Sequence, residues 1–428
     1  MCLREGPFLD TIDASEEAGH ANTLIECLAH LWRKPASYVE DMIKATPEDF
    51  VVEERADLPL RQHGGYRVYL LKKSHWNTLD LIHHLAKTLN QPADRFSYGG
   101  KKDKHGLTSQ FITIMNARDF STEGKGFSLE SRGFMDRPMG PDIIQGNAFT
   151  VTIRDLVDIG PLETNLEEVK KSGFPNFFDD QRFRSYDQEH GFFAEKVLKR
   201  HWNGALQVFL TSAGPDDSGS ERERKAALFK NWKDWPLLLT LASGPLEMGI
   251  FGFLNGRPND AGRALHQIPE EEVSMQYAAY QSHLWNELLR RLIKRKVRSP
   301  EEVPGREGGY LFWHDLSTEI LVYLGSLEIP TAAAKMDFAD DLTRSLLEDI
   351  LKEKSLTLGL FRTKALRKVY FRSFQRRALV IPKDLQALGV GNDELHPGKK
   401  KWTISFVLPR GSYGTMLIKR LALKPDKG

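Results

Sequence analysis

Cysteine is nearly missing from this chain of 428 residues. Only Cys2 and Cys27 occur, and their spacing fits no metal-ligand pattern. A disulfide framework and a structural zinc site are therefore not expected, and the scarcity of cysteine favours a reducing compartment, the cytoplasm. Net charge is nearly missing too, at +2. Any binding of nucleic acid must then come from local basic patches rather than from overall charge.

Long apolar runs are also missing. No stretch reaches the roughly 20 apolar residues that a bilayer-spanning helix needs, and residues 1–20 lack the apolar segment of a secretory signal. We therefore expect no membrane partner. A hydrophobic content of 40% and a charged content of 28% instead describe a soluble globular protein. The length exceeds that of one ordinary core, which predicts two domains.

Several common catalytic motifs are absent from the sequence. There is no Walker A pattern and no G-x-G-x-x-G, so a glycine-rich loop that cradles phosphate has no support. There is no G-x-S-x-G elbow and no H-E-x-x-H. His83 and His84 are adjacent on a predicted helix and face different directions, so they do not form a chelating pair. The sequence thus predicts no metal site.

The hydrophobic pattern divides the chain into three parts. Residues 1–35 are first polar and acidic and then weakly helical, and we interpret them as an accessory extension. Strand patterns dominate 36–172 and return in 383–428, which we interpret as one discontinuous domain. The residues between them, 173–382, are mostly helical in pattern and are interpreted as an insertion.

Individual elements follow from periodicity and turn residues. Strands are predicted at 49–54, 66–73, 147–156, 401–408 and 415–423. Helices are predicted after Asn77, near 163–172, and, as strongly amphipathic segments, at 276–296 and 338–354. The stretch GPDDSGSERERK at 214–225 predicts a flexible charged loop within the insertion.

One carboxylate lies among cations in a loop between two predicted strands. In FSYGGKKDKHGLTSQFITI, Asp103 is flanked by four basic residues, Lys101, Lys102, Lys104 and His105. Nearby ammonium groups would lower the pKa of Asp103 and hold it ionised. An ionised carboxylate beside a flipped base is suited to attack C1′ of the sugar or to remove a sugar proton. The alternative is an aspartate that only bonds its own backbone in a turn.

Two basic stretches suggest contact with nucleic acid. RRLIKRKVR at 290–298 has six basic residues in nine, and FRTKALRKVYFRSFQRR at 361–377 interleaves seven basic residues with four aromatics. Cations neutralise phosphates, and aromatic rings can stack on unpaired bases. The alternative is an amphipathic helix whose cations are merely solvated.

The segment GGKKDKHGLTSQ around Asp103 resembles a signature of the TruD family of pseudouridine synthases, G-x-K-D-x-x-A-x-T-x-Q. Five further segments resemble motifs of that family in the same order along residues 40–423. They are KATPEDFVVEE, QGNAFTVTIRD, GFPNFFDDQRF, AAYQSHLWN and LPRGSYGTMLIKRL. The chain is similar to this family over almost its whole length beyond the first 40 residues.

The resemblance implies an α+β fold and a reaction. The fold is a mixed, largely antiparallel catalytic sheet, the pseudouridine synthase fold, interrupted by a helix-rich TRUD-type domain. In this chain the catalytic domain would comprise 36–172 and 383–428, and the inserted domain 173–382. The implied reaction is isomerisation of uridine to pseudouridine in tRNA, at position 13 in bacterial members, without metal or organic cofactor. We expect a monomer with tRNA as its partner.

The resemblance also assigns roles to six residues, which are Lys44, Phe50, Asp103, Asn147, Phe149 and Tyr413. Asp103 matches the catalytic aspartate, and Lys44 could pair with it. Asn147 can bond an edge of uracil, and Phe149 can stack on the ring. Phe50 and Tyr413 match pocket aromatics. On strand pattern alone, Phe50 and Phe149 would be ordinary core residues.

Four positions depart from the family pattern. Asp179 and Arg184 stand in place of glycines, so the entry into the insertion is expected to be built differently here. Gly106 and Gly414 replace alanines, and we expect both changes to be tolerated. These departures bear on the choice of substrate more than on the chemistry.

Two other functions are compatible with the sequence. A catalytically silent RNA-binding relative would share the fold, although retention of Asp103, Lys44 and Asn147 together argues against it. Another RNA-modifying enzyme, such as a methyltransferase, would need a cofactor pocket, and the sequence shows no glycine-rich strand-loop-helix for one.

Overall fold

A computed structural model describes residues 42–214, 216–363, 366 and 369–424. The extension predicted at 1–35 lies outside these residues, and so do Lys364, Arg367 and Lys368 of the second basic stretch. In the described part of the chain, no helix combines the length and the apolar character that crossing a bilayer requires.

The described strands number fifteen. They are β1 (Phe50–Ala56), β2 (Tyr66–Lys73), β3 (Phe96–Tyr98), β4 (Leu107–Met115), β5 (Thr122–Gly124), β6 (Phe127–Met135), β7 (Ile144–Leu156), β8 (Phe174–Pro175), β9 (Glu301–Val303), β10 (Tyr310–Phe312), β11 (Glu328–Pro330), β12 (Gln375–Arg377), β13 (Leu379–Val380), β14 (Lys383–Asn392) and β15 (Lys400–Pro409). The strands predicted at 49–54, 66–73, 147–156 and 401–408 are confirmed.

A nine-stranded sheet organises the fold. Eight strands follow the order β14-β15-β7-β1-β4-β2-β6-β5, and β3 pairs with β4 beside this path. Every pairing in it is antiparallel except that of β1 with β4. Because β14 and β15 join the sheet from the far end of the chain, the predicted mixed and largely antiparallel α+β architecture is confirmed.

Helices occupy most of the chain between β7 and β14. The described helices are α1 (Thr78–Thr88), α2 (Gly160–Ser172), α3 (Phe193–Leu198), α4 (Trp202–Thr211), α5 (Gly219–Lys230), α6 (Trp235–Leu241), α7 (Pro245–Gly256), α8 (Ala261–Ala264), α9 (Glu270–Lys296), α10 (Thr318–Ser326), α11 (Asp341–Glu353) and α12 (Gly414–Leu421). The central one, α9, begins with three glutamates and ends with three basic residues, which matches the helix dipole.

The two ends of the helix-rich segment lie side by side. Phe174 and Pro175 of β8 pair with Val380 and Leu379 of β13. The chain therefore leaves the sheet region after α2 and returns to it at the same place. This arrangement is what a segment inserted into a sheet requires, because the sheet strands on both sides must still meet.

Two predicted elements were wrong. Residues 415–423 form helix α12 rather than a strand, and all eight residues of α12 are buried. A run this short is compatible with a strand or a helix, and its polar residues Thr415, Lys419 and Arg420 are buried here instead of facing solvent. The loop predicted at 214–225 ends early, because α5 begins at Gly219 with Ser218 accepting a hydrogen bond from the Glu221 N–H. That S-x-x-E pattern is a capping signal.

Candidate active site

One face of the sheet at β1 and β7 carries three of the six predicted site residues. Phe149 pairs with Val52 and Phe406, and Asn147 pairs with Glu54 and Leu408. Residues paired across strands share a face, and alternate residues of one strand do too. Phe50, Glu54, Asn147 and Phe149 therefore project from the same face.

The two predicted phenylalanines form part of an aromatic row on this face. The Phe50 and Phe149 rings meet edge to face with centroids 6.0 Å apart, and Phe149 stacks on Phe406 at 5.0 Å. Both Phe50 and Phe149 are almost fully buried, at 4% and 6% exposure. Phe149 is therefore held between Phe50 and Phe406.

The loop between β3 and β4 carries Asp103 to this face. Three contacts hold the loop from outside: Gln110 Nε2 donates to the Gly100 carbonyl at 3.1 Å, and the Lys102 N–H donates to Thr78 Oγ1 at 3.0 Å. The third is Lys73, whose Nζ donates to the carbonyls of Lys102 and Asp103. The loop is thus fixed by its backbone, which leaves its side chains available.

Asp103 accepts hydrogen bonds on both carboxylate oxygens. Oδ2 receives Lys44 Nζ at 2.7 Å and Gln181 Nε2 at 3.0 Å, and Oδ1 receives the His105 N–H at 2.8 Å. Burial alone would raise the pKa of Asp103. The charge of Lys44 and these hydrogen bonds outweigh burial and hold the pKa well below its usual range. Asp103 is therefore a buried carboxylate that is ionised at neutral pH.

Two of the four basic neighbours of Asp103 in sequence, Lys101 and Lys102, have other partners. Lys101 pairs with Glu271 of α9 at 2.8 Å, and Lys102 pairs with Glu54 of β1 at 2.8 Å. The interpretation that adjacent lysines hold Asp103 ionised is thus wrong for these two. The ammonium that contacts the carboxylate is that of Lys44, which lies 59 positions earlier in the chain.

Tyr413 lies on the other side of the aromatic row. It immediately precedes α12 and packs edge to face on Phe178 of the inserted segment, with centroids 6.4 Å apart. The next residue, Gly414, is so close to Phe149 that an added Cβ would lie 3.0 Å from its ring. The structure thus brings all six predicted residues to one region, where the sheet meets the inserted segment.

The two glycines that replace alanines both touch this aromatic pair. A Cβ at Gly106 would lie 2.4 Å from the Phe50 carbonyl oxygen, and the Gly414 position crowds Phe149. An alanine at Gly106 would require the backbone to move. In this chain the glycines let the loop that carries Asp103 pack directly against Phe50, and let α12 pack directly against Phe149.

Asp179, which replaces a glycine, is fully engaged. Its buried carboxylate accepts hydrogen bonds from Thr415 Oγ1 and Lys419 Nζ of α12. The charge of Lys419 holds the pKa of Asp179 low although burial opposes it. The 3₁₀ turn Asp180–Phe183 follows directly and carries Gln181. Asp179 therefore anchors this turn to α12, and the turn places Gln181 next to Asp103. Arg184 pairs with Asp216 at the surface.

Three residues of the site were missed by sequence reasoning. Gln181 lies within the GFPNFFDDQRF motif, so the sequence marked the segment as part of the family pattern. Nothing in the sequence indicated that Gln181 contacts Asp103. Glu54 and Lys73 lie within predicted strands, where a charged residue is normally expected to face solvent. Both are buried here, and nothing in the local sequence distinguishes them from surface residues.

Lys73→Met is expected to lower the free energy of unfolding by about 2–3 kcal/mol, since buried carbonyls would lose their donor. Lys73 is 1% exposed, and burial lowers its pKa to about 8 against the opposing effect of Asp103. Urea denaturation at pH 7 measures the change. Lys72→Met, at the exposed neighbouring position, is the control and should stay within about 0.5 kcal/mol of the wild type. Equal stability of both variants would contradict the bracing role of Lys73.

The basic stretches differ in what their side chains contact. Arg290 pairs with Glu287 and Glu307, and Arg291 pairs with Glu353. In the second stretch Phe361 and Phe371 are buried. The rings of Tyr370 and Phe374 are 58% and 48% exposed, and Arg372 is exposed between them. Phe374 also lies against Phe178, the ring that contacts Tyr413.

Across the described ranges, no group of three or more acidic, histidine or cysteine side chains is arranged to hold a metal ion.

Known proteins match this chain over most of its length. A family model described as tRNA pseudouridine synthase D (TruD) matches residues 36–307 and 324–421. A protein named tRNA pseudouridine synthase D from Leptospira interrogans is 30% identical over 393 residues, covering 89% of this chain and 96% of its own. The protein of that name from Aquifex aeolicus is 27% identical over 393 residues, covering 89% and 97%.

The fold has a counterpart among solved structures. A crystal structure of a TruD protein from Methanosarcina mazei superposes with a TM-score of 0.64 at 24% sequence identity. The alignment covers 89% of this chain and 93% of that one. The two chains therefore share one fold.

Proposed function

The chain belongs to the tRNA pseudouridine synthase D (TruD) family of isomerases, and on that premise we propose that it converts uridine 13 of tRNA to pseudouridine with Asp103 as the catalytic carboxylate. The observation that carries this proposal is the state of Asp103. It is buried, ionised, bound by Lys44 and Gln181, and held by a braced loop beside Asn147 and Phe149.

The proposed chemistry begins with extrusion of the target uridine from its stack, because a buried carboxylate cannot reach a paired nucleotide. Asp103 then acts at the sugar, either by attack on C1′ or by removal of a sugar proton. The bond from C1′ to N1 breaks and the freed uracil turns. A new bond then forms from C1′ to C5, while the bond between Asp103 and C1′ breaks or the sugar regains the proton that Asp103 removed. The proton at C5 is lost and N1 gains one.

The remaining site residues hold the uracil while it is detached. Asn147 bonds an edge of the base, and Phe149 stacks on the uracil ring. Phe50 and Tyr413 close the walls, which excludes water that would compete for C1′. Lys44 keeps Asp103 ionised. The reaction rearranges one nucleotide without net oxidation or group transfer, so the proposal invokes neither a metal ion nor an organic cofactor.

The proposal divides the chain into a catalytic domain, 36–172 with 383–428, and an inserted domain, 173–382, that binds tRNA. The pairing of β8 with β13 at the ends of the insertion supports this division. The exposed Tyr370, Arg372 and Phe374 support an RNA surface near the site, because they offer stacking faces and a cation beside Phe178. Arg290 and Arg291 are engaged by carboxylates and are weaker candidates.

The purified protein is expected to place pseudouridine at position 13 of an unmodified tRNA transcript. Carbodiimide derivatisation followed by primer extension maps the product, and tritium release from 5-tritiated uridine gives the rate. A transcript with cytidine at position 13 is the matched control and should release no tritium. Modification at another position would contradict the assignment of position 13, and binding without turnover would indicate a catalytically silent relative.

A further inference from the structure

The orientation of the Asn147 amide is fixed by one neighbour. Lys102 Nζ lies 2.5 Å from Asn147 Oδ1. An ammonium group has three donors and no acceptor. The amide oxygen must therefore face Lys102, because the opposite orientation would set two donors against each other. The amide nitrogen of Asn147 consequently points away from Lys102.

Lys102 is itself held in place by a buried carboxylate. Glu54 Oε1 lies 2.8 Å from Lys102 Nζ, and Glu54 Oε2 accepts the Phe111 N–H at 3.0 Å. The Glu54 side chain is fully buried and that of Lys102 is 9% exposed. A buried carboxylate needs a cation beside it, so the ion pair with Glu54 holds Lys102 Nζ against Asn147. Because Glu54 and Asn147 are paired across β1 and β7, the sheet fixes the trio.

The amide nitrogen of Asn147 is the group that this arrangement leaves available. Asn147 is only half-buried, and among the described residues its Nδ2 donates no hydrogen bond. It shares its face of β7 with Phe149, and Lys102 immediately precedes Asp103. The site therefore offers a base a fixed donor rather than an acceptor.

We propose that Lys102, acting through Asn147, makes the site selective for uracil over cytosine. The inference rests on the proposed function and names how that site recognises its base. The Asn147 Nδ2 donates to a ring carbonyl, O4 of uracil. Cytosine carries an amino group at that position, which would set donor against donor and leave both unpaired. Lys102 is a positioning residue, since it touches Asn147 and not the base.

A fixed donor also suits the rearrangement itself. When uracil turns so that C5 replaces N1 at the sugar, the half-turn runs about the axis through N3 and C6. That rotation exchanges the two carbonyls at C2 and C4. A donor is therefore matched by a carbonyl oxygen before and after the turn. An acceptor at the same place would have no ring partner in either orientation.

The test compares two unreactive tRNAs as competitors of tritium release. One carries pseudouridine at position 13, which keeps both carbonyls, and the other carries cytidine there. With the wild-type protein, the pseudouridine tRNA should inhibit roughly tenfold more strongly than the cytidine tRNA. In Lys102→Met the Asn147 amide can turn, and the preference should fall to within about threefold. Lys102→Arg, also a pure donor, should keep it.

The outcomes separate the inference from the function on which it rests. No tritium release by the wild type would contradict the proposed function. Release with equal inhibition by both competitors, or an unchanged preference in Lys102→Met, would overturn the inference alone. Lys102→Met leaves Glu54 without its cation. If that variant does not fold, the same competition experiment is carried out with Asn147→Asp. The Asn147→Asp variant offers an oxygen to the base, so the preference should shift toward cytidine, and an unchanged preference would overturn the proposal.

Discussion

Asp103→Asn is expected to reduce tritium release from 5-tritiated tRNA by about 10⁴-fold or more. An amide is neutral and can neither attack C1′ nor accept a proton from the sugar. It is nearly the same size as the carboxylate, and its oxygen can still accept from Lys44 or Gln181. The loss should therefore be one of turnover, with the fold and the affinity for tRNA kept.

Two measurements make this expectation specific. Binding of tRNA and the thermal unfolding midpoint of Asp103→Asn should both stay close to the wild-type values. Asp94→Asn, the same exchange at an exposed position of the same domain, should retain full turnover. Turnover of Asp103→Asn near the wild-type rate would remove Asp103 from its proposed role.

Lys44→Met is expected to have the second largest effect, because it removes the cation that holds Asp103 ionised. Burial already raises the pKa of Asp103, and Lys44 is the main opposing influence. Without Lys44 the pKa of Asp103 should rise, because only the hydrogen bonds from Gln181 and the His105 N–H would still oppose burial, and Asp103 would be protonated up to a higher pH than in the wild type. We expect turnover at pH 7 to fall by about 10²-fold.

The pH dependence should change with it. In the wild type the folded pKa of Asp103 lies below the unfolded value, so its ionisation stabilises the protein above the unfolded pKa. That stability is lost only as pH falls through the low folded pKa. The acid side of the rate profile should therefore be flat near neutrality. In Lys44→Met, turnover should instead increase with pH, because the fraction of protein molecules in which Asp103 is still protonated decreases.

Stability offers an independent check on the Lys44 pair. Removing one partner of a buried ion pair costs about 3 kcal/mol, and the side chains of Lys44 and Asp103 are 8% and 13% exposed. Urea denaturation should show this loss in Lys44→Met but not in Lys72→Met. A flat acid profile in Lys44→Met with unchanged stability would show that Lys44 does not control Asp103.

Much of the architecture could be predicted from local pattern. The strands at 66–73 and 401–408 and the helix at 276–296 follow from alternation and from an apolar stripe, and each appears in the structure. The misassigned helix at Gly414–Leu421 is short, and its basic residues Lys419 and Arg420 are buried rather than exposed to solvent. In so short a run the positions of polar residues do not separate a helix from a strand.

The sequence by itself determined the family, the fold class and the loop that carries Asp103, because ordered motifs and hydrophobic periods are local properties of the chain. Only the tertiary structure decided which groups meet. Gln181 reaches Asp103 from 78 positions away, and Lys419 reaches Asp179 from 240. Lys102, which immediately precedes Asp103 in sequence, contacts Glu54 and Asn147 instead. These contacts are set by strand register and by the packing of the helix-rich segment against the sheet. Neither can be predicted from a short stretch of sequence.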